Sequence, residues 1–513
     1  MLQRVAGVLI PLFSLRTTDD LGRGEIRGLI PMADFALAMG HRMIQLLPID
    51  ETAPDETSPY SAMSVLAIDP RYISARGLDG ISACDIDAAR VIAGPGDPPD
   101  PVKLHAAMMN LLRKSFDRFV ASAGADDRTA CEEFEHRNRG WLHDYALFRA
   151  LKEKFRWREW ASWPDGLDRR EPGALKMATR ELATESSFYS YIQFVAHRQW
   201  QEVRTELARR GVVLGGDLAF SPCRESAEVW ANQEMFDLTR TVGAPPDAFS
   251  EDGQRWGLPM PDWARMRALG FSLIRTRVRH ACELFDLLRL DHVVGLFRTY
   301  AFGSDPGVLG DFDPPAEADQ RAQGEEIIRI VKQDAGEMAI FAEDLGVVPT
   351  FVRTSLTALG VPGYKVMRWE REWNAPAQPF INPETYPELS VATTGTHDTE
   401  TMVEWWLDSS TEERRQFVAS LGLDGAIDVR LDALDDRAVD TIIGSLYAAP
   451  SRLAIAPVQD LFGWDARINT PGTVNVANWK WRLPFALDGF RDNSELTRRI
   501  AALRAIASRT RRI

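Results

Sequence analysis

The chain has 513 residues, 45% hydrophobic and 26% charged, an ordinary globular composition with length for a large core. Its 74 acids outnumber 60 bases, for a formal charge of -14; with no Lys/Arg block, this argues against nucleic acid and otherwise reads as plain solubility. No stretch approaches the roughly 20 apolar residues of a membrane span, and Cys84, Cys131, Cys223 and Cys282 are scattered without a CxxC pair, so they read as reduced, buried thiols of a cytoplasmic protein.

Taken in chain order, "RVAGVLIPLF" near Val8 is a short apolar run. Pro11 interrupts it and no small-residue cleavage site follows, so it reads as a strand and not a signal peptide. Apolar residues at helical spacing follow from Leu29 to Met39, then a second strand, "RMIQLLPI". Residues 75–205 are rich in helical pattern and Trp, with "WLHDYALFRALKEKF" a good amphipathic helix; they read as a helical insertion between strands two and three. Within it, "GPGDPPDPV" (Gly94 to Val102) is an expected exposed connection.

The third strand is "GVVLGGDLAF", and residues 221–275 form a second, loop-rich insertion before the fourth, "LLRLDHVV". Its segment "GAPPDAFSEDGQRWGLPMPDW" holds too many Pro and Gly for regular structure to be expected, and a long ordered loop in an enzyme reads as a lid. Four more strands follow: "EMAIFAEDLG", "GYKVMRW", "LSVATTGTHD" and "RLAIAPVQDLF". A helical pattern from Thr350 to Leu359 directly follows one of them. Eight all-apolar strands alternating with helices predict an α/β fold, a (β/α)8 TIM barrel spanning residues 1–513 as one catalytic unit. An open doubly wound sheet is the alternative, but no GxGxxG opens a first helix.

Acids sit where these strands end. Arg289, Asp291 and His292 lie in the fourth, Glu343 and Asp344 end the fifth, His397 and Asp398 the seventh, and Asp217 the third. In a barrel all strand C-termini meet at one face, so acids far apart in sequence converge there. A buried Arg289–Asp291 pair alone could be structural, but several acids at one rim repel one another unless they are used. Chemistry that needs carboxylates and little else includes glycoside cleavage, in which one attacks the anomeric carbon and another protonates the leaving oxygen. Metal-dependent hydrolysis competes with it, but the eight His show no HxH or HExxH spacing, and neither metal nor cofactor is expected.

Longer stretches then become recognisable. "SPYSAMSVLAIDPRYI", "GDLAFSPCRESAEVWANQEMF", "GAPPDAFSEDGQRWG", "LRLDHVVGLFR", "FAEDLGVV", "TTGTHDTETM" and "RINTPGTVNVANWKWRLP" occur in order from the first strand to Pro484. The chain resembles the 4-α-glucanotransferases of the amylomaltase (disproportionating enzyme) family, relatives of the α-amylases. The resemblance implies a retaining mechanism with Asp291 as nucleophile, Glu343 as general acid/base and Asp398 as the acid that grips ring hydroxyls. It implies a sugar-stacking role for Tyr60 and binding roles for Asp217, Arg289, His292 and His397. It also implies the barrel without a separate C-terminal β-domain. The lid loop keeps Phe249 and Trp256, a candidate stacking residue, but has Ala248, Leu258 and Pro261 where that family often has Tyr, Asn and Tyr.

The expected activity is therefore transfer of α-1,4-glucan segments between maltooligosaccharides. A hydrolase on the same scaffold and a silent glucan-binding protein are the rivals. The expected partners are α-1,4-glucans and maltooligosaccharides, with neither nucleic acid nor membrane, in a monomer or weak homo-oligomer.

Overall fold

The structure is a computed structural model that describes residues 4–246, 252–305, 308–423, 425, 427–430, 433–473 and 477–513. Eight parallel strands close a barrel: β1 Val5–Leu9, β2 Met43–Gln45, β3 Val213–Leu218, β4 Leu287–Leu290, β5 Ala339–Ala342, β6 Gly363–Val366, β7 Ser390–Thr393 and β8 Leu453–Pro457. Each pairs with its neighbours in chain order, and β8 returns to β1 in the register Val5↔Leu453 to Leu9↔Pro457. The expected (β/α)8 barrel is the observed fold. Its strands are short and apolar because a parallel strand is covered on both faces. Gly216 of β3 is required by that cover: a Cβ there would collide with the ring of Phe285.

Helices follow most strands. Leu29–Ala38 buries Leu29, Met32, Ala33, Phe35 and Ala36, the one-face spacing of an amphipathic helix. Thr350–Ala358 links β5 to β6. The β6–β7 connection instead holds one 3-10 turn, Pro383–Thr385. The C-terminal helix Ser494–Arg509 ends at the barrel's lower rim. There the fully buried Arg512 donates to the carbonyls of Tyr447 (2.7 Å), Ala449 (2.6 Å), Ser451 (2.9 Å) and Val5 (3.2 Å), tying the chain's end to its beginning. No described helix is long and apolar enough to cross a membrane.

Between β2 and β3 the chain forms an antiparallel hairpin, Asp50–Thr52 with Ala62–Ile68, followed by helices that include Ala125–Lys154 and Ala183–Arg210. Between β3 and β4 the Pro- and Gly-rich segment departs from expectation. Strands Phe236–Ala244 and Gln254–Pro261 pair antiparallel and join Thr299–Phe302 and Asp311–Asp313 in a four-stranded sheet. Gln254–Pro261 is an edge strand, where proline's missing N–H costs no ladder bond. Ala248 and Phe249, at the tip of this ribbon in sequence, lie outside the described residues. Leu258 is half-buried and Pro261 is buried opposite Phe236, so Pro261 belongs to the packing of the ribbon. The cysteines also depart in part: all four are free thiols, but Cys84 is exposed and only Cys131 is fully buried.

The hairpin is fastened by a buried ion pair. Arg149 Nε on helix Ala125–Lys154 donates to Glu51 Oε1 (3.0 Å), and Tyr145 Oη to Glu51 Oε2 (2.5 Å). The guanidinium also stacks between Trp157 and Tyr189, 4.7 and 4.6 Å from their ring centres. Glu51→Gln leaves the buried Arg149 with only Glu153, 3.8 Å from its Nη1 and half-exposed, as counter-ion, and loss of a buried partner costs about 3–5 kcal/mol. A lower urea midpoint of unfolding for the variant, by that much stability, is the expected result.

Candidate active site

β3, β4 and β5 lie side by side, and the acids at their C-terminal ends meet around one guanidinium. Arg289 of β4 is 5% exposed. Its Nη1 donates to both oxygens of Asp217 (2.7 and 2.6 Å) and to Asp291 Oδ1 (2.9 Å), and it lies 3.4 Å from Tyr60 Oη. Its Nη2 faces Glu343 Oε2 at 3.9 Å. Tyr364 of β6 lies beside the same guanidinium. The charges of Asp217 and Asp291 and the hydroxyls of Tyr60 and Tyr364 pull the Arg289 pKa well upward against the opposing effect of burial.

Asp291 lies just beyond β4, in a turn, and not on the strand itself. Its amide donates to the Leu218 carbonyl (3.1 Å), and the Phe220 amide donates to its Oδ2 (3.3 Å), so the carboxyl is held from both oxygens. His292 follows in the left-handed region, φ 43°, which turns its backbone N–H onto Glu343 Oε2 (2.7 Å). The His292 ring is boxed edge-on by Phe220 (5.4 Å) and Trp256 (4.7 Å), and burial lowers its pKa to about 4. Glu343 follows directly on β5, where the Leu345 amide reaches its Oε1 (3.3 Å).

Asp398 lies past β7, facing the others. Its Oδ2 is 3.1 Å from His397 Nε2, and its Oδ1 accepts from Asn469 Nδ2 (2.6 Å). Arg467 donates to its carbonyl (2.9 Å). Tyr60 stacks on His397 (5.3 Å, 17° between planes), and Trp479 leans on both rings at 5.9 Å. The Tyr60 hydroxyl is spent on Asp217 (2.8 Å), which leaves its ring as the surface it presents.

Electrostatics separates the acids. Burial, reinforced by Asp291 and Asp398, raises the Glu343 pKa to about 8, although Arg289 and the His292 amide pull the other way. Burial also raises Asp217, against Arg289. For Asp398 the burial effect is outweighed by His397, Asn469 and Arg289, and the pKa falls to about 2. Burial remains the largest single effect on Asp398, and it takes these contacts together to outweigh it. At neutral pH the rim therefore offers a protonated Glu343 beside an ionised Asp398, the split that acid/base chemistry needs. The cation between the acids is Arg289, and His397 Nε2 is turned to Asp398; this donor set leaves the rim poorly suited to hold a metal.

All nine sequence-derived candidates are described. Asp217, Arg289, Asp291, Glu343, Asp398, Tyr60 and His397 form one connected group, with His292 linked through its amide and Trp256 through the His292 ring. Asp344 faces away, accepting from the Tyr364 amide (2.8 Å) and paired with Arg353. Asn469, Arg467 and Trp479 complete the Asp398 side without having been singled out, although all three lie in "RINTPGTVNVANWKWRLP".

A family model for glycoside hydrolase family 77, described as 4-alpha-glucanotransferase, matches residues 10–488. The chain belongs to that family. It is 32% identical over 495 residues to a 4-alpha-glucanotransferase of Chlamydia pneumoniae, covering 94% of this chain and 92% of that one. It is 34% identical over 466 residues to one of Thermus thermophilus, covering 88% and 89%. An amylomaltase from Streptococcus agalactiae in complex with acarbose superposes with TM-score 0.85 at 26% identity, covering 99% of this chain and 100% of that one.

The raised Glu343 pKa is also a statement about stability. Between its ordinary 4.5 and about 8 the folded chain holds a proton that the unfolded chain releases, so this group's contribution to stability falls as pH rises through that window. Glu343→Gln removes the penalty. The variant is expected to unfold at a higher temperature than wild type near pH 8, with the gain shrinking toward pH 4.5; a pH-independent difference in thermal melts would contradict it.

Proposed function

We propose that this enzyme moves α-1,4-glucan segments between maltooligosaccharides by retaining double displacement, with Asp291 as nucleophile, Glu343 as acid/base and Asp398 as the acid that grips the reacting sugar. The observation that carries the assignment is the meeting of these carboxylates at one rim, with Asp291 and Glu343 beside Arg289 and with Glu343 pushed up to about 8 and Asp398 down to about 2.

In the first half-reaction Asp291 attacks C1 of the donor sugar while Glu343 gives its proton to the departing glycosidic oxygen. The C1–O bond breaks, the shortened glucan leaves with its new 4-hydroxyl, and a glucosyl ester remains on Asp291. In the second, the 4-hydroxyl of an acceptor glucan takes the vacated place. Glu343, now a carboxylate, removes its proton as its oxygen attacks C1, and the ester bond breaks to free Asp291. Two inversions return the α configuration. Arg289 aims Asp291 through the hydrogen bond to its Oδ1. Asp398, with His397, is placed to accept hydrogen bonds from ring hydroxyls, bonds that strengthen as C1 flattens and gains positive charge. Tyr60 offers an aromatic face on the donor side, and Trp256 one near His292. The free thiols and the absence of a membrane-crossing helix among the described residues favour a cytoplasmic enzyme acting on free α-glucans.

Incubation with maltotriose, resolved by chain length, tests the activity. Transfer yields a ladder of shorter and longer glucans; products no longer than the substrate would mean hydrolysis. Asp291→Asn is expected to lower turnover by on the order of 10³-fold or more with the fold intact, and activity within about tenfold of wild type would remove it from the role.

Glu343→Gln should form the ester from an activated donor, whose leaving group needs no proton, and then stall. Mass spectrometry should find the glucosyl group on Asp291. In wild type, kcat/KM for maltotriose is expected to fall above pH of about 8 as free Glu343 loses its proton; with the activated donor that alkaline limb should weaken.

A further inference from the structure

His197 and His280 face each other outside the sugar site. His197 lies on Ala183–Arg210, the last helix of the β2–β3 insert, and His280 on Ser272–Leu284, the helix that leads into β4. Their rings are 6% and 7% exposed, with centroids 5.2 Å apart. Phe134 and Trp141, both on Ala125–Lys154, cover them at 4.9 and 5.3 Å.

His197 Nδ1 is 3.2 Å from the Gln193 carbonyl, and the Leu66 backbone lies beside the His280 ring. A ring nitrogen facing a carbonyl carries the proton, which leaves the lone pair of His197 on Nε2. Among the described residues neither Nε2 has a hydrogen-bond partner. Buried polar atoms left unmatched are costly. One turn beyond His280, Glu283 brings a carboxylate from the solvent side, and one ligand atom from each of the three residues lies within 4.8 Å of the others.

We propose that His197, His280 and Glu283 form a zinc site, with water completing a tetrahedron. Two imidazole donors and a carboxylate suit Zn²⁺, and a nitrogen distance of about 2.0–2.1 Å asks for only a small inward turn of the side chains. The second ring nitrogen of His197 already has the backbone partner that orients a metal-binding histidine. The ion would join the insert helix to the helix before β4, and through Leu66 to the hairpin that carries Tyr60. Arg137 is the charged neighbour acting on both His197 and Glu283; it competes with the ion for the carboxylate. The site lies apart from the glucan chemistry and stands or falls independently of it.

Full-length protein stripped by chelator and dialysed is titrated with Co²⁺, followed by visible absorption, and the cobalt is then displaced by Zn²⁺. One equivalent per chain with a tetrahedral cobalt spectrum is expected. Zinc should raise the thermal midpoint of wild type. Glu283→Gln, a surface change, should weaken binding by at least the roughly 10–100-fold known for loss of an outer partner, while leaving the rate of glucan transfer unchanged. His280→Gln should abolish binding; should that variant fail to fold, Glu283→Gln carries the test. No saturable binding, meaning that a bridging water alone sits between the rings, would overturn the proposal. So would binding that survives both substitutions.

Discussion

One guanidinium decides the character of the barrel's mouth. Arg289 brings a single positive charge to Asp217, Asp291 and Glu343, with Asp398 across the cleft. Asp217 and Asp291 touch Arg289 at 2.6 and 2.9 Å, whereas Glu343 stands 3.9 Å away. Among these three the guanidinium lies farthest from Glu343, where burial prevails and the pKa is pushed up to about 8. Lysine, a point charge without the planar fork, could not hold three carboxylates at these separations.

Much of this architecture is legible in the chain because buried parallel strands leave an unmistakable trace. "AGVLI", "LLRL", "AIFA" and "LAIAP" are continuous apolar runs, and a charge inside or just after one stands out. That is why Arg289, Asp291, Glu343 and Asp398 stand out in the sequence, and why Asp344, next in line, is indistinguishable from Glu343 there: only the fold shows which of the two faces the barrel's mouth. The edge ribbon is illegible for the opposite reason. Its Pro259 and Pro261 break the pattern of an inner strand but are tolerated where no neighbour needs the N–H. Asn469 and Trp479 sit on irregular chain with no periodicity to announce them. The His197–His280 pair is invisible to spacing rules altogether, since its members lie on different helices.

The two walls of the cleft are supported differently. Tyr60 sits in the hairpin bolted by Glu51 and Arg149 to the helical insert, and its hydroxyl is tied to Asp217. Its ring is therefore as fixed as the barrel. Trp256 sits on the outermost strand of the ribbon sheet, backed by one paired strand only. A rigid surface on one side and an edge strand on the other suit a reaction in which one chain must stay while another leaves and is replaced.

The closure of the barrel also sets a schedule for its making. Strand β1 lies at residues 5–9 and its closing partner β8 at residues 453–457, with Arg512 clasping both ends from the last turn of the chain. At about 5–20 residues per second, a ribosome needs roughly 20–90 s to deliver β8 after β1. Through that interval β1 has an open flank, β7 has yet to gain its outer neighbour, and the acids of the mouth sit on an incomplete ring. The nascent chain is thus a long-lived client for chaperones that shield strand edges. The acids of the mouth are thus brought into their final ring late, once β8 has been made and pairs with β1.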